Sequence, residues 1–189
     1  MSDMSRVISQ ILRDIKVELS DEFDRNFERQ GFFSERWKRS HRAKSGGGAT
    51  LIDTGKLRRS ITSKSDATSI TFYTTEPYAA IHNEGGEIKV TAKMKRYFWA
   101  KYYESSGSFG RRKDGSLRRD RRNARLSDAA SMWKYMALMK VGSTIKIPKR
   151  RFLGASVEVE RAVREIVEEN ITEYVGQELI IQIQNDIKQ

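Results

Sequence analysis

The sequence contains no cysteine and only two prolines and two histidines among its 189 residues. The absence of cysteine excludes disulfides, thiolate zinc sites and cysteine nucleophiles, and it is compatible with a reducing compartment. His41 and His82 are then the only imidazoles available to a metal or to proton transfer. The composition therefore favours neither a disulfide scaffold nor a metalloprotein.

Long apolar runs are also missing. No stretch of eighteen apolar residues occurs, and the N-terminal MSDMSRVISQ has neither a basic start nor a long apolar core. We therefore expect no transmembrane or secretory segment, no membrane partner, and synthesis in a cytoplasm. With 38% hydrophobic residues the chain can bury one sizeable core, so we expect a single domain over residues 1–189.

Motifs of catalysis are absent as well. The sequence has no GxxxxGK[ST], HExxH or GxSxG pattern, and most acidic residues follow the i,i+4 spacing of solvated helix faces. The triplet Asp53-Thr54-Gly55 is shared with aspartic proteases, but basic residues follow it where that site needs an apolar strand. For His82, a local hydrogen bond is favoured over proton transfer. We expect no enzyme, no cofactor and no metal.

Positive charge is abundant and local. The formal net charge is +11, and residues 36–59 and 111–125 each carry eight Lys or Arg against one and two Asp. The second block fits a sequence-independent contact with nucleic acid, which we keep as the alternative function. A solvated loop or a contact with acidic faces of neighbouring subunits is the favoured interpretation. Its arginines are Arg111, Arg112, Arg118, Arg119, Arg121, Arg122 and Arg125.

Hydrophobic periodicity predicts the elements. Apolar residues every four positions indicate a helix from the N-terminus to about residue 30, and a similar stripe indicates another after Ser156. Between them we predict strands at 61–64, 69–75, 87–91 and 144–147, helices at 92–103 and 128–140, and a mobile basic arm at 104–126. The predicted fold is α+β, with a small, mainly antiparallel sheet of about four strands packed by long N- and C-terminal helices.

Two apolar groups are candidate contacts. The aromatic cluster between Tyr97 and Tyr103 fits core or a subunit interface better than nucleobase stacking, because its residues follow helical spacing. Near the C-terminus, an apolar stripe is predicted to be a subunit interface. It consists of Leu179, Ile180, Ile183 and Ile187.

Three strings combine turn and helix signals. They are LIDTGKLRRSI at 51–61, YAAIHNEGG at 78–86 and IPKRRFLG at 147–154. The Asp53-Thr54 pair offers oxygens to the free amides of a short helical turn, and Gly55 allows a tight turn. Pro77 presets a short helix that Gly85-Gly86 ends.

In this order the three strings resemble the phage virion morphogenesis, or tail-completion, family of contractile-tailed and Mu-like bacteriophages. The resemblance implies a non-enzymatic structural part of a phage or prophage virion, in a homo-oligomeric ring that terminates the tail or joins it to the head. Its partners would be other tail or neck proteins, with assembly in the host bacterial cytoplasm. The motif residues are Asp53, Thr54, Gly55, Leu57, Arg58, Tyr78, Ile81, His82, Gly85, Gly86, Phe152, Leu153 and Gly154.

The resemblance also assigns structural roles and shows departures. It implies that turns are shaped by Thr54, Gly55, Gly85, Gly86 and Gly154. It also implies that the core contains Leu57, Ile61, Tyr78, Ile81, Phe152 and Leu153. The sequence has Arg150-Arg151 where the family often has Arg-Pro, and residues 92–140 are longer and more basic than usual. Because of these departures, the resemblance does not predict the detailed contacts of the chain, including which end of the tail it contacts.

Overall fold

The two longest helices stand at the two ends of the chain: α1 (Asp3–Arg29) and α7 (Val157–Ile187). The structure, a computed structural model, describes residues 3–44 and 48–187, without the side chains of residues 3, 42, 181 and 185–187. The shorter helices are α2 (His41–Lys44), α3 (Lys56–Arg59), α4 (Ala79–Glu84), α5 (Ala92–Gly107) and α6 (Arg121–Leu138). The strands are β1 (Gly31–Phe32), β2 (Glu35–Arg36), β3 (Thr62–Ser65), β4 (Ile70–Tyr73), β5 (Gly86–Lys89) and β6 (Thr144–Ile147).

The chain forms two compact units. The first comprises residues 1–36, 57–76 and 151–189. Its core is built on the four-residue apolar spacing of α1, where Ile15, Leu19 and Phe23 are buried together with Phe32. Half-buried side chains from the β3–β4 hairpin and from α7 cover this cluster: Ile70, Phe72, Val159, Ala162, Val163, Ile166 and Val167. The predicted long N- and C-terminal helices are confirmed, and they pack on a two-stranded hairpin instead of one sheet of about four strands.

The second unit comprises residues 37–56 and 77–150. Its main feature is the pair α5 and α6, in which Phe98 stacks on Trp133 with 6.0 Å between ring centroids. Beside them β5 pairs antiparallel with β6, with Gly86 opposite Ile147. The backbone of Val90 extends this ladder through hydrogen bonds with Ser143 and Gly142, both 2.8 Å.

The prediction of one sheet of about four strands is wrong. The strands of the described residues form three separate antiparallel pairs, β1–β2, β3–β4 and β5–β6. Alternation identified where strands lie but carries no information on which strands pair. The hairpin β3–β4 belongs to the first unit and β5–β6 to the second, so the four predicted strands never meet in one ladder. A single domain over 1–189 stays a prediction.

The predicted arm at 104–126 needs new boundaries. Residues 104–107 continue α5, and α6 begins at Arg121 rather than after Ser127, so residues 108–120 connect the two helices. The start of α6 was missed because its first turns carry arginine and asparagine without an apolar stripe. Asp120 caps the helix by accepting a hydrogen bond from the Asn123 amide at 2.8 Å. The mobility of this segment stays a prediction.

Candidate assembly and polyanion-binding surfaces

Two of the three signature strings pack on each other. The Arg150 amide donates a hydrogen bond of 2.8 Å to the His82 carbonyl, next to the β5–β6 ladder. Gly85 has a φ of +74°, and a Cβ on it would lie 2.8 Å from the Lys149 backbone nitrogen. Only glycine fits there, because a side chain would meet backbone that has no room to move. The strings at 78–86 and 147–154 therefore build one structural connection.

Two ionisable side chains near this connection are partly or fully withdrawn from water. Arg150 is buried, its Nε donates to the Lys38 carbonyl at 2.9 Å, and desolvation lowers its pKa. His82 is half-buried, and burial, followed by the charge of Arg150, lowers its pKa. The His82 Nδ1 atom is buried and finds no hydrogen-bond partner among the described residues, so the local bond predicted for it is not present at this nitrogen. The ring packs edge-on against Tyr78 instead.

The first signature string anchors a short helix to α1. Gly55 turns with a φ of +76°, and the Thr54 hydroxyl accepts a hydrogen bond from the Lys56 amide at 3.4 Å. Leu57 is buried, and Arg58 forms ion pairs with Asp24 and with Glu28, the latter at 2.7 Å. The hydrogen bond from Arg58 lowers the pKa of Asp24.

The other motif positions are distributed between interior and surface. Phe152 is buried against Phe27, with 5.5 Å between ring centroids. Gly154 has a φ of +135°, consistent with its predicted turn role. Tyr78 is 38% exposed, which corrects the expectation that it lies in the core. Half-buried positions are Ile61, Ile81 and Leu153.

The basic segment between α5 and α6 is folded around Asn123. This residue is buried, and its side-chain oxygen accepts from the Gly110 amide at 2.8 Å. Its side-chain nitrogen donates to the carbonyls of Gly110 (2.8 Å) and Arg118 (2.6 Å). Sequence reasoning missed Asn123, although Asp120 three residues before it, ahead of a helical segment, was an available capping signal.

A groove of about 1130 Å³ opens beside this segment. Four of its lining residues are arginines: Arg112, Arg118, Arg119 and Arg121. Arg111 and Arg118 also make hydrogen bonds within the segment, to the carbonyls of Gly115 (2.8 Å) and Arg111 (3.0 Å). The structure thus places four of the seven arginines of the predicted nucleic-acid contact in one groove. Arg122 and Arg125 lie exposed on the first turns of α6.

The C-terminal part of α7 presents an apolar stripe to solvent. The helix continues through Gly176, and apolar side chains four residues apart are each 47–55% exposed, with Ile180 beside them at 57%. They are Ile171, Val175, Leu179 and Ile183. The side chain of Ile187, which completes the predicted interface, lies outside the described residues. The apolar side chains of α7 that pack against the core cluster run from Val159 to Val167, and Asn170 donates a hydrogen bond to Asp14 of α1 at 3.2 Å.

The predicted aromatic cluster is split between core and surface. Phe98 is buried against Trp133, whereas Tyr97 and Tyr103 are more than half exposed. Trp99 stacks on Tyr103 with 5.9 Å between ring centroids, so these rings are occupied with each other.

Neither a metal site nor a membrane-spanning helix occurs among the described residues. Within residues 3–44 and 48–187, no group of three or more His, Cys, Asp or Glu is placed to hold a metal ion. The helices of that same part of the chain include none long and apolar enough to cross a membrane.

Comparisons with known proteins give one match. A family model described as the phage virion morphogenesis family matches residues 1–172. No curated protein matches the chain. No solved structure matches it either.

Proposed function

The chain belongs to the phage virion morphogenesis family, and we propose that it acts there as a non-enzymatic ring subunit at the tail end or neck of the virion. In this role it completes or terminates the tail, or joins tail to head. It assembles with copies of itself and with other tail or neck proteins, in the host bacterial cytoplasm and then in the virion. The family supports a structural part in virion assembly, and the surface of α7 supports the ring.

The exposed stripe on α7 carries the proposal. A helix of 31 residues is about 46 Å long, and its apolar contacts with the core end near Val167. Beyond that point, large aliphatic side chains remain half exposed from Ile171 to Ile183. A contiguous apolar stripe of this kind marks a protein contact, because its burial removes apolar surface from water.

Charge supports a second copy of the chain as the partner in this contact. The first unit carries 13 Lys or Arg and 18 Asp or Glu, a net charge of −5, whereas the second carries 23 and 7, a net charge of +16. The α7 stripe is flanked by Glu173 and Glu178 of the acidic unit. Opposite charge favours contact between the first unit of one copy and the second unit of the next. Such a head-to-tail contact closes into a ring when the rotation between copies allows it.

The double substitution Leu179→Asp with Ile183→Asp tests the stripe. We expect the wild-type chain to form a closed multimer in native mass spectrometry, and the variant to remain a monomer with unchanged helix content by circular dichroism. Burial of two unpaired carboxylates opposes assembly by several kcal/mol. Residues that are already exposed contribute little to the fold of the monomer.

The matched control is Gln177→Asp with Gln184→Asp. It places the same two charges on the same part of α7, about 100° or more around the helix from Leu179 and Ile183. We expect this control to assemble like the wild type. A monomeric wild type, or equal behaviour of the two variants, contradicts the proposed interface.

A further inference from the structure

We propose that the arginine groove, defined as the surface of residues 109–125 that includes Arg112, Arg118, Arg119 and Arg121, binds the phosphate backbone of duplex DNA without sequence preference. This inference goes beyond the ring proposal and does not depend on it. If the chain binds DNA but stays a monomer, the proposed DNA site is supported and only the proposed ring is contradicted.

Within the described part of the chain, the cations of the groove have no carboxylate partners. Among the described residues, none of the eight Lys or Arg side chains of 111–125 lies within 4.0 Å of an acidic oxygen. The two acids of the block serve the backbone instead. Asp114 accepts hydrogen bonds from the Ser116 hydroxyl and amide, which lower its pKa, and Asp120 caps α6.

Some arginines outside the groove are paired with acidic side chains. On α1, Arg25 and Arg29 pair with Glu22, at 2.9 and 2.7 Å. In the groove, four arginines line a single cavity, so their like charges repel one another. Arg121 and Arg122 also lie in the first turn of α6, where the helix dipole disfavours positive charge. An anionic ligand relieves both costs.

The groove is organised before any ligand arrives. Asn123 fixes the backbones of Gly110 and Arg118, and antiparallel pairing between Arg111 and Leu117 closes the turn. The side chains of Arg112, Arg119 and Arg121 make no hydrogen bond within the described structure and remain available. Phosphate contacts need this combination of a positioned backbone and free guanidinium donors.

Duplex DNA fits the groove better than a single strand or an acidic protein. Single-strand sites stack bases on exposed aromatic rings, but the one ring lining the groove, Phe109, is half-buried. An acidic unit of a neighbouring copy carries a net charge of only −5 against +16, so assembly leaves a large positive excess. The backbone of a duplex offers the dense negative charge that matches this excess.

The test is fluorescence anisotropy of the full chain with a short labelled duplex of mixed sequence, between about 50 and 200 mM salt. The informative variant is Arg112→Ala with Arg119→Ala and Arg121→Ala, which keeps the two arginines that hold the turn. We expect at least about tenfold weaker binding, with the slope of log K against log salt smaller by about 3. The corresponding triple lysine variant should keep the wild-type slope, because it keeps the charges.

The matched control is Lys93→Ala with Lys95→Ala and Arg96→Ala. It removes the same charge from the start of α5, about 20 Å along the helix from the groove. We expect a much smaller loss of affinity from it. The proposal is overturned if the wild type fails to bind the duplex at low salt, or if both alanine variants weaken binding equally. It is also overturned if the chain binds the matching single strand more tightly, or if polyglutamate competes as well as DNA.

Discussion

At the scale of single residues, the signature strings are explained by space and backbone conformation. Gly85 turns with a positive φ directly against the Lys149 backbone, and neither condition suits a side chain. Gly86 also has a positive φ, of +149°, but a Cβ there would meet the flexible end of Ile81 and not backbone. The glycine at this motif position is therefore explained by packing between two strings that are distant in sequence. No catalytic role is needed to explain it.

Gly85→Ala should lower the free energy of unfolding by about 2–4 kcal/mol, measured from urea midpoints at constant slope. The left-handed φ and the contact with Lys149 both contribute. Gly142→Ala is the control, because Gly142 has a φ of +89° but nothing within 4 Å of its Cβ position. It should cost only about 1–2 kcal/mol. Equal losses in the two variants would show that the contact with Lys149 contributes nothing.

At the scale of elements, the connection between α5 and α6 depends on one buried amide side chain. Asn123 accounts for three hydrogen bonds to the backbone of the segment, involving Gly110 and Arg118. Without this side chain, the backbone groups of Gly110 and Arg118 lose these hydrogen-bond partners and must bond to water or to one another. A substitution of Asn123 should therefore loosen the backbone of the arginine groove without changing its charge.

Asn123→Ala should speed hydrogen exchange of the Gly110 amide and lower the stability of the chain by about 1–3 kcal/mol, the cost of leaving partly buried polar groups unpaired. Ser116→Ala is a suitable control, because among the described residues the Ser116 hydroxyl bonds only to the exposed Asp114. That control should change stability by less than about 0.5 kcal/mol. Unchanged exchange at Gly110 in the alanine variant would mean that the segment is held by other contacts.

Several elements could be predicted from the sequence because their signals are local. Apolar spacing identified α1 and α7, and β6 has the predicted bounds Thr144–Ile147. The helix predicted after Ser156 begins at Val157, and the Ser156 hydroxyl accepts a hydrogen bond from the Val159 amide at 3.3 Å. Strand pairing and the burial of Asn123 depend on contacts between distant residues, which periodicity does not encode. The exposure of Tyr78 was missed for the same reason.

At the scale of the whole molecule, charge is divided between the two compact units. The sequence showed two basic blocks, but only the assignment of residues to units shows that one unit is acidic and the other strongly basic. Each unit also exposes one surface whose side chains favour a partner molecule, an apolar one in the first unit and a basic one in the second. These surfaces are the apolar stripe of α7 and the arginine groove.

The central claim is that the chain is a ring subunit at the tail end or neck, and its location in the virion tests this most directly. The measurement is cryo-electron microscopy of virions from the phage or prophage that encodes it, with and without the gene. We predict a closed ring of this chain where the tail meets the head, and separated heads and tails when the gene is deleted. Normal virions from the deletion, or density for the chain away from the tail end and neck, would contradict the account.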